Sequence, residues 1–272
     1  KFSGKSEVTI NPGSTVSSDP VSFDLKPRSD IAVTIYFGAV PQDITGHPGS
    51  RTTSYILAGN NIMSADFPEA VTTDHWYFLS AVDVKAPASS GAVAILGNSI
   101  TDGRGSGTNR QNRWPDILSE HLLRNSSTAY VAVLNLGIGG NCVLRKCLGP
   151  AAVERFDRDI LGQNGVRWII VLEGVNDLGQ AHDSIAAMKI AGELTEAYRQ
   201  MAEKAHLKNI KIFGATILPF GKSFYYTGFR EAAREKVNSV IRHSGYFDDV
   251  IDFDAVMRNP EDSISLIPEL QS

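Results

Sequence analysis

From Gly91 onward the chain repeats one rhythm: a short apolar run rich in β-branched residues, a loop, then a longer amphipathic stretch. The runs are Ala92–Leu96, Val131–Leu136, Trp168–Leu172, Ile210–Ile217 and Val250–Phe253, and the first four are each followed by such a stretch. They are continuously apolar rather than alternating, the pattern of parallel strands covered by helices on both faces. Helical periodicity fills the intervals. Trp114, Ile117, Leu118 and Leu122 fall on one face of Trp114–Leu123, and Pro115 sits near its start, where a missing N–H costs little. Further helices are expected around Ile185–Ala205 and Arg230–His243. The β-α-β-α order predicts an α/β fold with a doubly wound, parallel, five-stranded sheet. In such sheets chemistry collects at the carboxyl ends of the strands, near the point where strand order reverses.

Up to about residue 88 the pattern is different. Glu7–Ile10, Val21–Leu25, Ile31–Phe37, Thr53–Leu57 and His75–Val84 read as short strands between clusters of Pro, Gly, Ser and Asp. The expected division is a β-rich N-terminal part, 1–88, and an α/β domain, 89–272, with Lys85–Gly91 as connector. The aromatics of the first part (Tyr36, Phe37, Tyr55, Trp76, Tyr77, Phe78) are expected in its core.

Composition removes several classes of function. A net charge of −4 and the absence of Lys/Arg runs leave no footprint for nucleic acid or a membrane surface. No apolar stretch approaches the ~20 residues of a membrane span. Two cysteines, Cys142 and Cys147, cannot complete a four-ligand zinc site. On a helix their spacing would part them and on a loop they could bridge; the expectation is two small packing residues. The chain begins at Lys1 without a signal peptide, which fits a mature exported protein or a trimmed chain. An extracytoplasmic location, secreted or periplasmic, is the expectation. Asn125-Ser126-Ser127 is a glycosylation-type triplet of a kind common by chance.

Three loops that follow strands carry unusual residues: Gly97-Asn98-Ser99-Ile100-Thr101-Asp102-Gly103, Gly137-Ile138-Gly139-Gly140-Asn141 and Glu173-Gly174-Val175-Asn176-Asp177. Acyl transfer needs a nucleophile, a base for its proton and donors for the developing oxyanion, all at one point. Ser99 supplies a hydroxyl at a strand-to-helix turn, where its own N–H can also face the site. The glycines of the second loop allow close backbone approach, and Asn176 adds a side-chain N–H donor.

These blocks resemble those of the SGNH (GDSL) hydrolases. Gly97–Gly103 is similar to the family's first block, Gly140 matches its oxyanion glycine, and Gly174-Val175-Asn176-Asp177 matches its G-x-N-D block. Trp114-Pro115 is also typical. The resemblance runs from about Gly91 to the end and implies the flavodoxin-like SGNH hydrolase fold. It implies Ser99 as catalytic nucleophile and Ser99, Gly140 and Asn176 as oxyanion hole, with no metal or organic cofactor. Short-chain esters are implied as substrates, among them acetyl esters of carbohydrates, with lysophospholipids also in range.

Two departures qualify it. Asn98 stands where the family has Asp, which is not its triad acid. The closing D-x-x-H block, which supplies the family's catalytic His and Asp, does not occur. The expectation is that the polypeptide continues past Ser272, or that a separate C-terminal fragment carries the base and the closing helix. The competing reading is a non-catalytic carbohydrate- or ligand-binding protein that kept the crevice and lost the base.

Other motifs carry less. Of the histidines (His47, His75, His121, His182, His206, His243), only His182 is expected near the crevice rim. Glu203–His206 has a metal-ligand spacing without a second motif, and reads as a solvated helix end. Gly214 to Ser223 imitates a phosphate loop, but six residues separate its glycines where four are needed. Asp252 and Asp254, at the end of the last strand, are expected to fix the loop leaving it.

Overall fold

The computed structural model describes residues 1–270 and divides into two compact units. The first comprises Lys1–Val40 and Ala58–Asp66. It contains no named strand; its N-terminal turn is held by the Asp19 carboxylate, which accepts from the Ser3 and Gly4 amides at 2.7 and 2.9 Å. The segments around 7–10, 21–25 and 31–37 thus lie outside any ladder. Val21 and Phe23 are 82% and 67% exposed, so β-like composition there finds no partner to bury it.

The second unit comprises Pro41–Leu57 and Phe67 onward, so packing does not follow the boundary near residue 88. Its early strands form two small antiparallel pairs. β1 (Gly46–His47) pairs with β4 (Trp76–Tyr77), and β2 (Ser54–Ile56) with β3 (Val71–Thr73). The α/β part follows as β5 (Gly91–Gly97), α1 (Ser99–Asp102), α2 (Trp114–Arg124), β6 (Val131–Gly137), α3 (Ala152–Arg155) and β7 (Val166–Leu172). It continues through α4 (Val175–Leu178), α5 (Ser184–Leu207), β8 (Lys211–Ala215), α6 (Gly228–His243), β9 (Asp249–Ile251) and α7 (Phe253–Met257). A last hairpin, β10 (Arg258–Asn259) and β11 (Asp262–Leu266), follows.

The five parallel strands lie in the order β6-β5-β7-β8-β9. This is the doubly wound order in which the chain steps one way from its first strand and then returns to build on the other side. The apolar runs now have a cause. Along β5 and β7 successive side chains alternate between two cores. Ala94, Leu96, Ile169 and Val171 face one with α5 and α6; Val93, Ile95, Ile170 and Leu172 face the other with Trp114, Leu118 and Leu122 of α2. Both faces are buried, so both parities are apolar. Each of the larger side chains among them contributes about 1.5–3 kcal/mol relative to exposure.

The end of β9 is fixed by charge rather than apolar packing. Asp252 caps α7 by accepting from the Ala255 amide at 3.1 Å and takes both Nε and Nη2 of Arg242. Asp254 is buried and collects Arg234, Arg242 and Arg258.

Candidate active site

Register brings the three loops together. Gly97, the last residue of β5, pairs with Gly137 of β6 on one side and Leu172 of β7 on the other. With neighbouring strands about 4.8 Å apart, the loops leave the sheet at one level, at the switch point. Arg155 reinforces this edge from beneath. Its buried guanidinium donates to the carbonyls of Leu136 and Gly97 and to Asn141 Oδ1. Burial lowers its pKa, opposed by Glu173, whose carboxylate lies 3.8 Å away. Full burial pushes the Glu173 carboxyl well above its usual range, against the pull of Arg155.

Ser99 opens α1, with Asn98 as its N-cap: Asn98 Oδ1 accepts from the Ile100 amide at 3.0 Å. Asn is a preferred cap, so the departure from Asp keeps the turn that presents Ser99. The Ser99 hydroxyl is half-buried and bonds no described residue. Its backbone N–H, and that of Gly140, also donate to no described group.

Gly140 takes φ +71°, which favours glycine, and a Cβ there would run into Leu148. The preceding Gly139 amide donates to Asp102 Oδ2 at 3.0 Å. Asn176 lies on α4 and donates Nδ2 to the Asn141 carbonyl at 2.7 Å, leaving its second amide hydrogen unused. Asp177 faces inward, accepting from the Val143 and Leu144 amides, and burial raises its pKa against those bonds.

Gly140 and Asn176 line one cleft of about 410 Å³ with Lys146, Cys147, Gln180 and Tyr225; Ser99 stands outside that lining, on the adjacent loop. The cysteines correct the sequence expectation: Cys142 and Cys147 form a disulfide, Cα–Cα 5.6 Å, because they lie on a loop and not on a helix. Tyr225 and Arg155 were not singled out from the sequence. The available signal for the first was an aromatic run, Phe224-Tyr225-Tyr226, between β8 and α6.

The histidines are engaged away from Ser99 or carry no bond to it. His47 Nε2 meets Asp102 Oδ1 at 2.7 Å, which brings a residue of the early strands onto α1, the helix that Ser99 opens. His182 is 82% exposed beside Asp183, and His206 pairs with Asp248 rather than joining Glu203 in a ligand set. Among the described residues no group of three His, Cys, Asp or Glu could hold a metal ion. No helix is long and apolar enough to cross a membrane.

Comparison with known proteins agrees with this architecture. Among solved structures, a lipolytic protein of the G-D-S-L family from Desulfitobacterium hafniense DCB-2 superposes with TM-score 0.50 at 21% identity, covering 67% of this chain and 87% of that one. AlinE4, an SGNH-hydrolase family esterase, superposes with TM-score 0.50 at 15% identity, covering 69% and 85%. At these identities the likeness is one of fold. Among curated proteins, none matches the chain. The GDSL-like Lipase/Acylhydrolase family matches residues 95–267. That span holds all three loop blocks and more than half of the sequence, and the chain belongs to this family.

Proposed function

We propose that the chain is a serine esterase or acylhydrolase acting on short acyl esters, acetyl esters of carbohydrates among them. Ser99 Oγ attacks the ester carbonyl and passes its proton to a base; the tetrahedral oxyanion collapses with release of the alcohol, which takes that proton. Water then attacks the acyl-serine and restores the hydroxyl, yielding the carboxylic acid. The base in this reading is a histidine of the D-x-x-H type, a tetrad that does not occur within these 272 residues.

The observation that carries the reading is a set of unfilled donors. Ser99 N–H, Gly140 N–H and one Asn176 amide hydrogen are unengaged among the described residues, on loops that leave neighbouring strands at one level. Unpaired polar groups at a switch point are what an oxyanion needs, and each such donor typically contributes about 2.7–4 kcal/mol. A location outside the cytoplasm is supported by the Cys142–Cys147 disulfide, since reducing compartments disfavour such bonds.

The test is hydrolysis of para-nitrophenyl acetate by the whole polypeptide, with labelling by a fluorophosphonate. Ser99→Ala is expected to abolish both. Undiminished turnover in that variant would rule out the assignment.

A further inference from the structure

The cleft beside these donors has a sign opposite to that of the whole chain. The protein carries a net charge of −4, yet Lys146 is the one charged side chain among the described residues that line the cleft. Lys146 is exposed and makes no ion pair. Arg104, just past α1, is also exposed and makes no ion pair, and its charge reaches the Tyr225 hydroxyl on the same cleft.

Several arginines outside the lining of this cleft are paired. Arg155, Arg199, Arg234, Arg242 and Arg258 all have carboxylate partners. The acids near the loops point inward. Asp102 takes His47 and the Gly139 amide, Asp177 takes two backbone amides, and Glu173 is fully buried. Solvated lysines on an open surface would need no explanation. A lysine on the wall that also holds Gly140 and Asn176, with the charge of Arg104 felt at Tyr225 and no carboxylate among the lining residues, sets a positive field where substrate must dock. Clefts focus such fields, and charge complementarity there steers and orients a ligand.

We propose that the preferred substrate is an ester whose alcohol part bears a carboxylate, held against Lys146 and Arg104 while its acyl group lies at Ser99. This rests on the esterase reading and names the substrate class for the same site. A phosphate dianion fits less well, because the free backbone N–H groups that usually cradle phosphate are here directed to the oxyanion.

The test compares para-acetoxybenzoate with para-acetoxybenzamide, two acetyl esters of similar size that differ in charge, assayed on the whole polypeptide. The expected kcat/KM favours the benzoate about tenfold at low salt, and the preference collapses near about 1 M NaCl, where the Debye length is about 3 Å. Lys146→Gln and Arg104→Gln are each expected to raise KM for the benzoate and so cut the preference severalfold. A ratio at or below one in the parent protein, or a ratio untouched by both substitutions, overturns the proposal. Absence of Ser99-dependent turnover of either ester overturns the esterase reading itself, and the carboxylate preference with it.

Discussion

Tyr225 donates its phenolic hydroxyl to Asn176 Oδ1 at 2.6 Å, which fixes which end of that amide faces the cleft. The carbonyl end is held by Tyr225, the amide end by the Asn141 carbonyl, and one hydrogen meets no acceptor among the described residues. The ring itself is seated by Gly179, where a Cβ would overlap it, and its backbone carbonyl accepts from Arg230. Tyr225 is thus a positioning residue for Asn176. Removing its hydroxyl leaves a buried acceptor unpaired, at about 1–3 kcal/mol. Tyr225→Phe is expected to lower kcat for an aryl acetate about tenfold with KM little changed, while Ser99 still labels with fluorophosphonate. An unchanged kcat would show that Asn176 needs no such orientation.

The disulfide forms one wall of the cleft. It closes a loop between Cys142 and Cys147 that begins one residue after Asn141, whose carbonyl holds Asn176. Gln180 Nε2 donates to Cys147 Sγ at 2.9 Å and reaches Cys142 Sγ at 3.2 Å. Closing so short a loop contributes about 2 kcal/mol in the chain-entropy picture. Replacing both cysteines by Ala is expected to lower Tm by several degrees and kcat severalfold. Equal kcat in the double variant would mean that the wall is scaffold alone.

Much of the α/β part was legible because periodicity and burial coincide there. The runs at 92–96, 131–136 and 168–172 became β5, β6 and β7, and Trp114–Leu123 became α2, because both faces of the sheet are covered. The same reasoning failed before residue 41, where β-like composition has no ladder to join. Ser99, Gly140 and Asn176 were readable as residues just past the strand ends because turn chemistry is local. Tyr225, Arg155 and the contact of His47 with Asp102 were not, because each joins segments far apart in the sequence and no period announces it. The disulfide was missed for a related reason: its geometry depends on the loop path, which spacing alone leaves open.

Asp102 ties the Ser99 helix to the Gly139-Gly140 loop. One carboxylate oxygen meets His47 Nε2 at 2.7 Å, the other accepts from the Gly139 amide at 3.0 Å, and the side chain is only 4% exposed. Asn can preserve both bonds if neutral His47 presents its acceptor nitrogen, since the amide offers one donor and one acceptor end. Ala preserves neither. Asp102→Ala is therefore expected to cost about 2 kcal/mol in urea unfolding and to reduce kcat, with Asp102→Asn near the parent protein at neutral pH. Equal loss in both variants would mean that the negative charge, rather than the bond pattern, holds the Gly139 amide.

Acid sensitivity should enter through the far end of the sheet. The Arg242 guanidinium, gripping Asp252 at 2.8 and 2.7 Å, holds its carboxyl down at about 2. A carboxyl whose folded-state pKa lies below its unfolded value of about 3.9 contributes stability that is fully present above the unfolded value. That contribution is lost as pH falls through the folded one. Asp252→Asn keeps the oxygen that accepts from the Ala255 amide and from Thr216 Oγ1, and removes only the charge. For a partly exposed pair the loss at pH 7 is at most about 1 kcal/mol. The stability gap between parent and variant should thus be constant from neutral pH down to about 5, then close between about 4 and 2 in urea titrations. A gap that persists at pH 2 would show that the charge of Asp252 is not what stabilises this end.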